Sequence, residues 1–261
     1  MEKQYSSLEV MANDTGMPDP DESLREYVIY LAENNLIHQT EDENVSYSVD
    51  KSKGKFVIFL QGESFPEFHY CYETEIRKQV ILSDFYENHD GNDLGAVFAE
   101  STEGDYGLCA DLDFYKIVNI NELPVKAEVK IYALALDVMF FKDKNEFDEV
   151  MKKNPLGISP SGNPIYIGSK FLSASGTIPE SEAPFPSMAY LTAEILDVES
   201  RTNEFTKKEF YVLKCDGTIG EFELLCSPEF ANENMRAGGV INGRVIFRME
   251  LMKLLDNENI V

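Results

Sequence analysis

Seven cations and three aromatic residues crowd the last quarter of the chain: Arg201, Lys207, Lys208, Lys214, Arg236, Arg244 and Arg248 beside Phe205, Tyr211 and Phe247. Rings interleaved with basic groups suit a single-stranded nucleic acid, whose bases stack on aromatics while cations follow the phosphates. Strand alternation divides the set: Phe210, Val212 and Lys214 share one face, Tyr211, Leu213 and Cys215 the other. Arg244 and Arg248 likewise share a face with Ile246, opposite Val245 and Phe247. The candidate contacts are Phe205, Lys207, Lys208, Arg244 and Arg248. Phe205 leads them because it lies in a polar loop, where a ring has no evident core to fill. The competing expectation is that the rings fill a core and the arginines solvate its rim. Residues 189–252 carry 11 acidic against 7 basic groups, so they lack a positive field to concentrate a polyanion.

Other chemistries find fewer residues. There is no GxGxxG, Walker A loop, HExxH, GxSxG or EF-hand series. His38, His69 and His89 are not spaced as ligand pairs, and Cys71, Cys109, Cys215 and Cys226 form no CxxC, so no metal site and no cofactor is expected. The segment from Glu87 to Asp93 is rich in oxygen donors but lacks calcium-loop spacing. Asp111 with Asp113, and Glu221 with Glu223, are carboxylate pairs on one strand face, the geometry that acid/base work uses. Among 47 carboxylates such pairs arise by chance. No catalytic residue is nominated, and an enzyme with carboxylate chemistry stands as a third reading.

Charge supplies the leading functional reading. The 261 residues carry a net charge of −24, which disfavours broad nucleic-acid or anionic-membrane binding. Residues 1–120 hold 25 acidic and 8 basic groups; the remainder holds 22 and 15. The acidity therefore belongs to the first half. Glu41, Asp42 and Glu43 cluster there, and Asp84, Glu87, Asp90 and Asp93 recur every three residues. Both groups are candidates for an acidic patch that meets a basic protein partner, as an immunity protein or an inhibitor does. The plainer expectation is a solvated surface. No apolar run approaches a membrane span or a secretory leader, so the chain is expected in the cytoplasm with reduced thiols.

The elements that would position these residues read as α+β: an acidic N-terminal α+β domain followed by a C-terminal OB-like small β-barrel. Residues 1–18 read as a flexible lead. Asp19-Pro20-Asp21-Glu22 caps a helix whose stripe is Leu24, Tyr27, Val28, Leu31 and Ala32. Strands are expected at residues 45–49, 55–60, 67–73, 79–82, 95–100 and 106–111. This domain ends at 123, near the Leu123-Pro124 break. A middle segment, 124–187, holds an apolar strand and a short helix that starts at Asn145 and ends at Lys152-Lys153. Residues 255–261 form a tail.

Residues 188–254 carry the clearest pattern: a long strand through Arg201-Thr202-Asn203, an aromatic second strand, the Asp216-Gly217 turn, a third strand, and a return through Gly238-Gly239-Val240 and Gly243. This layout resembles an OB-fold-like barrel and is similar to the C-terminal part of uncharacterised bacterial proteins with the same run. The resemblance implies a small closed barrel and no particular chemistry.

Overall fold

The computed structural model describes residues 7–18, 23–40, 44–60, 67–86, 95–114, 120, 122–173 and 187–255. Helices α1 (Ser7–Asp14) and α2 (Leu24–Glu33) precede strands β1 (His38–Gln39), β2 (Val45–Val49), β3 (Gly54–Phe59) and β4 (Glu67–Tyr72), an antiparallel sheet in that order. Next come β5 (Arg77–Tyr86), β6 (Ala96–Ser101), β7 (Gly107–Asp113) and the long β8 (Val125–Phe141). Helix α3 (Lys144–Lys153) leads into the hairpin β9 (Gly157–Ile158) and β10 (Pro164–Ile165), then β11 (Phe171–Ser173). The chain finishes with β12 (Met188–Thr202), β13 (Glu209–Gly217), β14 (Gly220–Cys226) and β15 (Val240–Leu254).

The expected division into an acidic α+β domain and a separate barrel is corrected. Strands dominate, and β5, β6 and β7 belong to the same nine-stranded mixed sheet as β11 to β15. The reason lies in two pairings that turn signals cannot reveal: β14 runs parallel to β8, and β7 parallel to β15. Parallel partners are joined by long crossovers rather than hairpins. Within the expected lead, residues 7–14 form α1 with Met11 fully buried, as is Met17 beyond it.

Following the hydrogen bonds shows that the sheet closes twice. β12, β13, β14, β8 and β15 return to β12, and β5, β6, β7, β15 and β8 return to β5. The β8–β15 ribbon therefore serves both rings. A barrel confined to residues 188–254 does not form, because the C-terminal ring draws its fifth strand from β8.

The two rings relate by an approximate twofold exchange about the facing pair Tyr132 and Arg248. Tyr132 lies beside Glu223 of β14, and Arg248 beside Asp111 of β7. Register shifts in the ribbon leave Leu136 and Met252 unpaired, each four residues beyond that facing pair. Such bulges bend and twist a strand, and a ribbon that must curve into two rings needs one on each arm. Near the first bulge, Gly243 lets the strands touch: a Cβ there would stand 2.1 Å from the Asp137 carbonyl oxygen.

One ribbon face supplies Ile131, Ala133, Val245, Phe247 and Met249 to a continuous apolar core shared by both rings. The other face is covered by the N-terminal elements. Tyr132, Leu134 and Ile246 pack there with Met11, Tyr27, Leu31 and Phe56. Burial on both faces explains the apolar run of β8 from Ile131 to Leu136, which resembles that of a parallel-sheet strand.

His69 in β4 lies edge-on to Phe59, with ring centroids 5.1 Å apart. Burial, helped by the charge of Arg248, lowers its pKa to about 4. As pH falls below the unfolded value near 6.5, the unfolded chain takes up a proton that the fold refuses, so stability declines until pH passes about 4. Chemical denaturation at pH 7 and pH 5 should show a loss of about 2 kcal/mol from this residue, which His69→Leu removes from the pH profile.

Candidate functional site

Where the N-terminal sheet meets the ribbon, four charges converge beside a cavity of about 490 Å³. Lys130 and Glu250 face each other across β8 and β15 on the ribbon's outer side. Lys55 reaches them from β3, and Glu73 follows the end of β4. Lys55 Nζ donates to Glu250 Oε1 at 2.8 Å and to Glu73 Oε2 at 3.0 Å. Lys130 Nζ donates to Glu73 Oε1, and stands 3.9 Å from Glu250 Oε2. The signs alternate around a square, which is what lets two ammonium groups lie 5% and 7% exposed. Tyr47 and Phe114 flank the Lys55 ammonium, their ring centroids 5.5 and 4.6 Å away. Thr40, Val49 and Leu251 complete the lining.

The square fixes protonation. Burial opposes the Lys55 charge, but Glu250 and Glu73 outweigh it and hold its pKa above the ordinary lysine value. Burial likewise works against charged Glu73, yet its bonds from Lys130 and Lys55 win and hold its pKa low. For Glu250 burial prevails over Lys55, and the pKa is raised. Its Oε2 is buried and accepts no hydrogen bond among the described residues, whereas the other three carboxylate oxygens each accept from an ammonium. Glu73, with both oxygens bonded and its pKa held low, is therefore not a free base in this arrangement.

Behind the square lies a second charge pair. Arg248 donates from Nε to Asp113 Oδ1 at 2.9 Å, with a further bond from Nη2 to the same oxygen and one to the Tyr70 carbonyl at 3.3 Å. Tyr132 donates its hydroxyl to Asp113 Oδ2 at 2.9 Å. Both charged side chains are 1% exposed.

Four of the five residues nominated for a nucleic acid are already engaged. Phe205 packs on Tyr27 and Tyr30 of α2, with centroids 5.0 and 5.1 Å away. The polar loop has a core to fill after all, one supplied by a helix far away in sequence. Arg248 is buried in its pair with Asp113, and Arg244 bonds Asp137 at 2.9 Å. Lys207 folds back onto the Glu204 carbonyl, and of the five only it and Lys208 stay exposed. These five side chains do not form one face. The Asp111–Asp113 carboxylates are likewise buried rather than open to a substrate.

Of the acidic candidates, Asp84 lies exposed in β5 beside a bulge. Glu41, Asp42, Glu43, Glu87, Asp90 and Asp93 lie outside the described residues. Lys55, Glu73, Lys130 and Glu250 were not nominated. Lys130 did carry a signal, as the single charge in the apolar run 129–136. Among the described residues no group of His, Cys, Asp and Glu is placed to hold a metal ion, and no helix is long and apolar enough to cross a membrane. No protein-family model, curated protein or solved structure matches the chain.

Proposed function

We propose that the protein is a non-enzymatic, cytoplasmic binding protein whose acidic half recognises a basic protein partner. The observation that carries this reading is on the outer face of β5 and β6. Asp84 faces Phe98 across the pair, and Glu100 stands two residues farther along β6 on the same side. Glu103 and Asp105 project from the turn that follows. All four are exposed, and none forms an ion pair among the described residues. Uncompensated carboxylates on the outer face of a strand pair attract a basic surface and speed its encounter. The four free, buried cysteines fit a reducing compartment. Because the nominated aromatic and three of the four nominated cations are already engaged, this reading is favoured over single-strand binding through an OB-like ring.

Affinity capture with the tagged full-length protein tests it. A basic protein should be retained at low salt and released as ionic strength rises, and the double change Asp84→Lys with Glu100→Lys should cut recovery at least about tenfold. Recovery of no salt-sensitive partner, or undiminished recovery by the variant, overturns the proposal.

A further inference from the structure

We infer that the cavity over Lys55 and Lys130 binds a small organic monocarboxylate that carries a neighbouring hydroxyl or amide donor, with Glu73 as the resident carboxylate that the ligand displaces. Four observations define that chemistry. First, the Lys130 ammonium has three protons to donate, but among the described residues Glu73 is the one carboxylate within hydrogen-bond distance of it. Second, Glu73 is the most exposed of the four side chains, 26% against 15% for Glu250 and less for the lysines. It also lies beyond the last residue of β4, so its side chain can turn outward without breaking the ladder.

Third, removing Glu73 leaves two buried ammonium groups with one carboxylate. An anion must then take its place, and a single negative charge restores neutrality. A phosphate dianion would overshoot it and press against Glu250. Fourth, Glu250 Oε2 is buried without a donor among the described residues, and a buried acceptor left unpaired is destabilising. A hydroxyl or amide next to the ligand carboxylate would supply that donor. The remaining lining is Thr40, Tyr47, Val49, Phe114 and Leu251; the last four favour an aromatic or branched apolar body, and the volume suits a small molecule.

Calorimetric titration of the full-length protein with mandelate, phenylacetate and inorganic phosphate reads each element. Mandelate and phenylacetate differ in the hydroxyl beside the carboxylate. Mandelate should bind the wild type, and Glu73→Gln, which removes the competing charge and keeps both lysines, should bind it about tenfold or more tightly. Phenylacetate should bind that variant several-fold more weakly than mandelate, a difference that Glu250→Met, which lacks an oxygen acceptor, erases, and phosphate should not bind. The proposal is overturned if Glu73→Gln gains no affinity, if the two acids bind it equally, or if neither binds. Should that variant fail to fold, nuclear magnetic resonance on the wild type decides. Mandelate must then shift the signals of Tyr47, Val49, Phe114 and Leu251; no shifts, or shifts confined to other regions, contradict the site.

Discussion

Replacing Arg248 by Met is expected to destabilise the protein by about 3–5 kcal/mol, the usual consequence of leaving one partner of a buried ion pair alone. Asp113 would lose both of its guanidinium bonds and keep the Tyr132 hydroxyl as its hydrogen-bond donor among the described residues. The site cannot rehydrate easily, since Arg248, Asp113 and Tyr132 are all within 1% of full burial. The pair also stands where three units meet: Arg248 on the shared ribbon, Asp113 at the end of β7, and the Tyr70 carbonyl on β4. Losing it loosens the docking of the N-terminal sheet as well as one ring. A companion variant separates charge from packing. Arg248→Met combined with Asp113→Leu removes both charges, and should recover most of the lost stability because apolar replacement of a whole buried pair is often neutral or favourable. Urea denaturation of the two variants beside the wild type measures both effects. If Arg248→Met shifts the midpoint no more than a surface substitution does, the pair is not the anchor described.

Local signals were legible in the sequence where partners are near in sequence. The stripe of α2 buries Tyr27 and Leu31 as its spacing implies, and α3 begins on an Asp143 cap with Lys152 and Lys153 in its last turn. The β2–β3 connection at Lys51 to Gly54 forms where turn chemistry places it, whereas the β13–β14 turn falls at Thr218 and Ile219, just beyond the expected Asp216-Gly217. What stayed hidden is long-range. Nothing in residues 125–141 says that one end of β8 pairs with β5 while its middle pairs with β14. The same limit explains the misread charges. Alternation correctly put Arg248 on the face opposite Phe247, but that outer face is covered by β3 and β4 instead of by water. Phe205 was misread for the same reason, since its cover comes from α2. The candidate site was the least legible part, because its four charges come from β3, the β4 end, β8 and β15, and no two are neighbours in sequence. An isolated lysine in an apolar strand was the one available hint.

The shared ribbon makes the largest prediction of all. If β8 belongs to both rings, then residues 188–255 expressed alone lack the strand that separates β14 from β15. Leu224, Leu225, Val245 and Phe247 would then lose the ribbon neighbours Ala133, Leu134 and Ala135 that cover them. An open sheet with that much unpaired edge and exposed core does not hold a fixed structure. The direct measurement is thermal and urea unfolding of the 188–255 fragment, followed by near-ultraviolet circular dichroism beside the full chain. A single shared unit predicts no near-ultraviolet signal and no cooperative transition from the fragment, with one transition from the full chain. A fragment that unfolds cooperatively with a native near-ultraviolet spectrum would contradict the shared ribbon and restore an independent C-terminal barrel.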